Sequence, residues 1–459
     1  MVKKHLLLLS LILGGISLAS CSNEDELTDF NSMNDVVQTE NSSDTDYLKY
    51  KRTPEEAEDL VLDFLSEVSA QQVMSSKKRL LKQATPKIAN VEALSKSSSM
   101  KRGKLKDIEP VSGIDTLLYM VNFTDDSGFA IVAADKRTDP LIAFIDEGNF
   151  SAEDLATEEN EGFLLALESA IDNELADIEA YNEDSVTQTN HYQPKLKDLD
   201  TKGWTINTIK TPLLQTNWGQ GIPYNTYCPE LPDYYINIGN HAATGCVITA
   251  LAQMLSYYQV VTEVPYVASI PQIQTTLHWS QIIQDSQNNN GHLNNTTSQS
   301  TNEVACLMRY LGTCITVDYG VTSGAQKEDA TNFLKVKGLN VSKWADFKES
   351  RIINTLSQNY IMFGSGYGER KKIAGITYKY TKGHVWIYDG YLNATKDNNT
   401  LNMVHCNWGW NGTRNGYYFC KVFNTRLGGE IPDDGDNTYI ESLYDFRYKF
   451  EYAIVANNL

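Results

Sequence analysis

The chain has 459 residues, 41% of them hydrophobic, and a formal net charge of −19 at pH 7. That length holds two or three domains with a sizeable core. Such acidity excludes nucleic acid as a partner, because its phosphates would be repelled.

Lys3 and Lys4 precede an apolar run from Leu6 to Ala19. The run is too short to span a bilayer as a helix and has the length of a secretory signal peptide. It ends in Leu18-Ala19-Ser20-Cys21, which looks like a bacterial lipoprotein cleavage site. The reading is a signal peptide over 1–20, then a mature chain starting at a lipidated Cys21. Residues 21–52 are polar and acidic and read as a flexible tether.

A helix is expected from Thr53, with Pro54 in its first turn and Ala57, Leu60, Val61, Phe64, Leu65 and Val68 on one face. The Ser- and Lys-rich stretch 75–108 reads as loop. Residues 116–123 and 129–134, separated by Asp125-Asp126-Ser127-Gly128, read as a hairpin, with a further strand at 141–145. A helix carrying Phe163, Leu164, Leu167 and Ile171 closes this small α+β unit, in which no residue stands out for chemistry. The polar stretch that follows, up to 211, has little pattern and is the kind of exposed junction that proteases cut.

The second unit is organised around His241 to Met254. A Gly-containing turn runs into a helix with Val247, Ala250, Leu251, Met254, Leu255 and Tyr258 on one stripe. Cys246 stands where that helix begins. Unpaired backbone N–H groups and the helix dipole there favour a thiolate, the nucleophilic form. A small buried cysteine under a helix accounts for the same pattern. Residues 285–303, rich in Asn, Ser, Thr and Gln, read as a surface loop before a helix with Val304, Leu307, Met308 and Leu311. The last third reads as a mostly antiparallel sheet, with strands at 384–391, 401–408, 416–423 and 452–455.

A cysteine nucleophile needs a base and donors for an oxyanion. His384, after Gly383 at the start of a strand, suits the base. Asn407 is placed to hold its imidazole, and Trp408 to shield that bond. Gln220 offers a side-chain amide beside the Cys246 N–H. Each has a plain structural alternative: a satisfied polar residue, a tight turn, an aromatic contact. His405 is a rival base, read as a neighbour instead because Asn407 follows two residues later. His241 is too near Cys246 in sequence to face it. Setting Cys21 aside, six cysteines remain, and without Cys246 an odd five cannot all pair. Cys406 and Cys420 flank a hairpin pattern and are candidates for a bridge. No Cys/His spacing suggests zinc.

Gln220-Gly221-Ile222-Pro223-Tyr224-Asn225, Ala242-Ala243-Thr244-Gly245-Cys246-Val247, Gly383-His384 and Asn407-Trp408-Gly409-Trp410 resemble the streptopain family of secreted bacterial cysteine peptidases. Gly128-Phe129-Ala130-Ile131-Val132 and Asp135-Lys136-Arg137 resemble that family's propeptide. The resemblance implies an α+β chain: a papain-like catalytic domain, half helical and half antiparallel sheet, behind a small α+β prodomain. It implies an inhibitory prodomain over 53–185, an activation junction over 186–211 and a peptidase domain over 212–459. The family's roles fall on Cys246 as nucleophile, His384 as general base and acid, Gln220 as oxyanion donor, and Asn407 and Trp408 as supports. Ser323, Gly324 and Gly383 match positions lining the substrate cleft. Ala325 stands where the family can carry a Ser, and the 285–303 stretch lies outside the likeness.

The expected protein is therefore a lipid-anchored cysteine endopeptidase zymogen, periplasmic or on the cell surface, acting on proteins or peptides with its own prodomain as intramolecular inhibitor. No metal or organic cofactor is called for, and the membrane is met only through the N-terminal lipid. The alternatives are a non-catalytic binding or inhibitor lipoprotein that keeps the fold, and a papain-like amidase or transferase on cell-wall peptides.

Overall fold

The structure is a computed structural model that describes residues 49–74, 86–95, 115–181, 204–232, 239–373, 376–396, 399–423 and 449–457. The expected signal peptide, the lipidation position Cys21, nearly all of the tether and most of the junction lie outside these residues.

The N-terminal unit opens with helix α1 (Pro54–Met74). Thr53 and Glu56 cap it reciprocally: the Thr53 N–H donates to the Glu56 carboxylate at 2.9 Å, and the Glu56 N–H to Thr53 Oγ1 at 3.2 Å. Strands β1 (Ile88–Ser95), β2 (Thr116–Phe123), β3 (Phe129–Ala133) and β4 (Leu141–Ile145) follow, paired antiparallel in that order. β1 falls in the stretch expected to be loop. Only Leu94 of it is buried, so the ladder to β2 holds it at the edge with little hydrophobic alternation to announce it. Every residue of β2, β3 and β4 is buried. Helix α2 (Glu161–Ala180) starts at Asn160, whose side chain accepts from the Phe163 N–H at 3.0 Å.

Strand β5 (Thr205–Lys210) lies inside the stretch read as patternless junction. Its alternation is weak, and it is a strand because it pairs antiparallel with β13, described below. The helical half follows: α3 (Cys246–Tyr258), the short pair β6 (Glu263–Val264) and β7 (Thr275–Thr276), α4 (Trp279–Asn288), α5 (Ser298–Cys314), the short pair β8 (Val317–Asp318) and β9 (Gly324–Ala325), and α6 (Lys327–Val336). The polar stretch 285–303 is thus largely helical rather than a surface loop. Its hydroxyls and amides are used internally. Ser300 Oγ donates to Asp285 at 2.6 Å, and the buried Glu303 carboxylate accepts from the His278 N–H at 2.8 Å. Polarity here marks both internal contacts and a solvent-facing side, on which Asn288, Asn295, Gln299 and Asn302 are exposed.

The sheet half comprises β10 (Asn340–Val341), β11 (Ala345–Asp346), α7 (Glu349–Ser357), β12 (Met362–Ile373), β13 (Ile376–Lys396), β14 (Asn399–Asn407), β15 (Gly416–Phe419) and β16 (Glu451–Ala456). The path of the main sheet is β1-β2-β3-β4-β15-β14-β13-β12-β16-β10, with β5 on β13 and β11 on β16. The ladder between β4 and β15, Gly416 opposite Ile145 and Tyr418 opposite Ala143, joins the N-terminal unit to the sheet half by backbone hydrogen bonds.

Three apolar cores flank this sheet. Helix α3 and its helical neighbours pack Val247, Leu251 and Met254 against Val385, Ile387, Phe363 and Ala453. Helix α2 packs Phe163, Leu164, Leu167 and Ile171 against Trp386, Trp408 and Phe423. Helix α1 packs against β2 to β4 and, further along, Leu392 and Met403. Alternation along β13 therefore sends Val385 and Ile387 to the helical half, and Trp386 and Tyr388 to α2. The α+β class and the division into helical and sheet halves agree with the sequence reading. The bridge suggested between Cys406 and Cys420 is absent: both are free and buried.

Candidate active site

Cys246 is the first residue of α3, and Gly245 ahead of it has φ +89°. That left-handed backbone, with Ser323 O only 3.0 Å from where a Cβ would stand, lets the loop before β9 close onto the helix start. The thiol lies at the base of a cleft also lined by Gln220, His384, Gly383, Ser323 and Gly324. Five residues singled out from the sequence thus meet Cys246 in one place.

The sequence expectation of a ready thiolate does not hold in this form. Burial pushes the Cys246 thiol up to about 11, against the pull of the Val385 and Val247 N–H groups, and the Glu161 carboxylate adds to the rise. His384 is held the other way. Burial lowers it to about 4, partly offset by a hydrogen bond in which Nε2–H donates to the Trp408 carbonyl at 2.8 Å. Its Nδ1 is buried with no partner among the described residues. The pair is therefore neutral, thiol and imidazole, and no hydrogen bond joins them.

The N-terminal unit contributes to this burial. Glu158, Glu159 and Glu161 line the cleft beside Cys246. Gly162, in the first turn of α2, presses on the imidazole: a methyl group there would come within 2.7 Å of His384 Cδ2 and closer still to the Trp408 ring. The imidazole stacks toward Trp386 at 6.2 Å between ring centroids, on the sheet face that α2 covers.

Asn407 does not hold this imidazole. Its amide donates to Thr216 O at 2.9 Å, and its Oδ1 accepts from Gln253 Nε2 at 3.0 Å. Gln253 Oε1 in turn accepts from the Trp218 N–H at 3.0 Å. Asn407 ties the helical half to the sheet half, while the support expected of it falls to the Trp408 carbonyl. The Trp408 ring packs on Trp386 and Tyr418 at 5.0 and 5.2 Å. Gln220 accepts through its backbone carbonyl from the Thr244 N–H at 2.9 Å, which sets it beside the start of α3.

His405 is not a second base for Cys246. Its Nδ1 meets Asp389 at 2.6 Å and its Nε2 meets Asp146 of the N-terminal unit at 2.9 Å. Burial opposes its charge, but the two carboxylates hold it at about 10, so it is an imidazolium bridging two units. His241 Nδ1 meets the Cys228 carbonyl at 2.8 Å. The sequence reading found no chemistry in the N-terminal unit. Glu158, Glu161, Gly162 and Asp146 correct it, and the run of acids before α2 was the available signal.

Comparison with known proteins bears on the family. Residues 218–418 match the Peptidase C10 family, and residues 51–171 match the Spi protease inhibitor family. Streptopain of Streptococcus pyogenes serotype M28 is 26% identical over 361 residues, covering 70% of this chain and 78% of that protein. The thiol protease/hemagglutinin PrtT of Porphyromonas gingivalis is 24% identical over 353 residues, 71% of this chain and 36% of that protein. Among solved structures, a fragment of Prevotella intermedia prointerpain A aligns with TM-score 0.48 and 21% identity, over 75% of this chain and 96% of that one. Residues 218–418 are therefore a Peptidase C10 domain behind a Spi-like prodomain over 51–171, and the chain is a cysteine endopeptidase zymogen similar to streptopain.

Proposed function

We propose that Cys246 and His384 are the nucleophile and base of this endopeptidase, and that the described form is latent because the prodomain parts them. The observation that carries the reading is Gly162 against His384, in a cleft that also holds Cys246 at a helix N-terminus. Removal of α2 takes away the burial that keeps both groups neutral, and the imidazole is then free to turn to the thiol.

In the released site the Cys246 proton passes to His384, and the thiolate attacks the substrate carbonyl carbon. The resulting oxyanion takes hydrogen bonds from the Cys246 N–H and the Gln220 amide. The imidazolium returns its proton to the leaving amine, and a thioester remains. Water then attacks, giving a proton to His384, and Cys246 departs as thiolate. Ser323, Gly324 and Gly383 border the bound peptide. Asn407 fixes the two halves, and Trp408 supports the imidazole.

We further infer that the chain is exported and held by lipid at Cys21, periplasmic or cell-surface, the 21–52 stretch serving as tether and the 186–211 stretch being cut on activation. The lysine pair, the apolar run and Leu-Ala-Ser-Cys support this.

The test is soluble protein from residue 22 onward, as wild type, Cys246→Ala and His384→Ala, followed by intact mass under reducing conditions with casein present. Wild type should lose roughly its first 180 residues and digest casein, and neither variant should do so. A trimmed, folded wild type that neither digests casein nor reacts with a thiol-directed epoxide overturns the reading in favour of a binding protein. Cleavage confined to cell-wall peptides favours the amidase.

A further inference from the structure

The turn between β14 and β15 carries an arginine whose guanidinium is spent entirely on the prodomain. Arg414 Nε donates to the Glu158 carboxylate at 2.8 Å, and Nη1 to the Asn149 carbonyl at 2.7 Å. The same group lies over the Phe150, Phe129 and Phe163 rings at 4.7, 5.5 and 5.7 Å from their centroids. All five partners leave with the prodomain. What stays is the backbone that aims the side chain. The Arg414 carbonyl accepts from Trp408 Nε1 at 2.8 Å and from Tyr418 Oη at 2.6 Å, which pins the turn to the aromatic floor beneath the site.

Glu158 connects this arginine to the cleft, because it is at once the partner of Arg414 and a lining residue beside Cys246. The side of the cleft follows from chemistry. The imidazole must reach the leaving nitrogen, so the departing half of the substrate runs along the His384 and Trp408 side. Trp410 and Asn411 line the cleft there, in the same turn as Arg414. The Ser323-Gly324 edge borders the opposite, acyl side.

We propose that Arg414 is a specificity residue on the leaving-group side of the mature enzyme, selecting a substrate carboxylate, and that Glu158 occupies its place in the zymogen. A freed guanidinium recognises a planar carboxylate by paired N–H donors, a geometry lysine lacks. The substrate class is peptides with Glu or Asp shortly after the scissile bond. This rests on the Cys246–His384 reading of the cleft.

The test uses processed enzyme and fluorogenic peptide pairs that differ only by Glu against Gln at successive leaving-side positions. Wild type should prefer Glu at one position by roughly tenfold in kcat/KM, on the order expected for one charge-assisted pair. Arg414→Ala should bring the ratio to about one, and Arg414→Glu should turn it toward Lys. Equal turnover of Glu and Gln peptides by wild type at every position overturns the proposal without any variant. So does an Arg414→Ala enzyme that keeps the preference. Failure to cleave either peptide would instead fell the peptidase reading, and this proposal with it.

Discussion

Gly162 of the prodomain and His384 of the peptidase domain are in such close contact that a side chain as small as a methyl group would stand 2.7 Å from the imidazole. This close approach of α2 therefore depends on the absence of a side chain at 162. Trp386, 6.2 Å from the imidazole between ring centroids, and Trp408, whose carbonyl it meets, are both fully buried.

Gly162→Ala should loosen the zymogen. Overpacking of this kind costs about 1–3 kcal/mol. The expected outcome is a lower melting temperature in a Cys246→Ala background, and faster prodomain loss when Cys246 is present. An unchanged melting temperature and processing rate would show that α2 does not press on the site.

Thiol chemistry should differ between the two forms. With Cys246 pushed to about 11, the zymogen holds almost no thiolate at pH 7. Alkylation of Cys246 by iodoacetamide, mapped by peptide mass, should be slow at pH 7 and rise toward pH 11. In the processed enzyme it should be at least about a hundredfold faster at pH 7, as burial is relieved and an imidazole is at hand. Equal rates in the two forms would contradict the latent geometry.

Acid should weaken prodomain docking through His384. Its folded pKa is depressed from 6.5 to about 4, so it contributes stability present above 6.5 and lost as pH falls toward 4. The unfolded chain binds the proton first, and the full difference is worth roughly 3 kcal/mol. Melting of the Cys246→Ala zymogen should fall more steeply between pH 6.5 and 4 than that of the same protein carrying His384→Gln. Parallel curves would assign the acid sensitivity elsewhere.

The Asp146–His405–Asp389 bridge should be a second clamp between the units. Asp146→Asn leaves the imidazolium its inner carboxylate but removes the one across the boundary. A loss of about 1–3 kcal/mol from zymogen stability is expected, the range for a hydrogen bond to a charged group. His405→Gln strands two carboxylates and should cost more, about 3–5 kcal/mol. Urea unfolding of the Cys246→Ala background ranks them, and the reverse order would refute the bridge.

Asn407 should matter for structure before it matters for chemistry. Asn407→Ala leaves the buried Gln253 and the Thr216 carbonyl without their partner, at about 1–3 kcal/mol. A zymogen with unchanged melting would argue that the Gln253 contact is not what holds the halves together.

The sequence by itself determined what is local. A glycine turn before an apolar stripe places Cys246 at a helix start, and that needs only the spacing of three and four along one segment. The same holds for the 116–134 hairpin and for the strand that carries His384, because alternation is a property of neighbours. The residues lining the cleft were legible as blocks through their likeness to the streptopain family, not through periodicity. Tertiary structure alone decided how those blocks are used. Asn407 finds Gln253 at a separation of 154 residues, and His405 finds Asp146 at 259. No periodicity encodes pairings that long. β1 and β5 are strands through their ladders with β2 and β13, not through their own apolar pattern. The raised Cys246 and lowered His384 follow from burial, to which α2, a helix distant in the chain, contributes through Gly162, so the thiolate suggested by the helix start is not favoured in the zymogen.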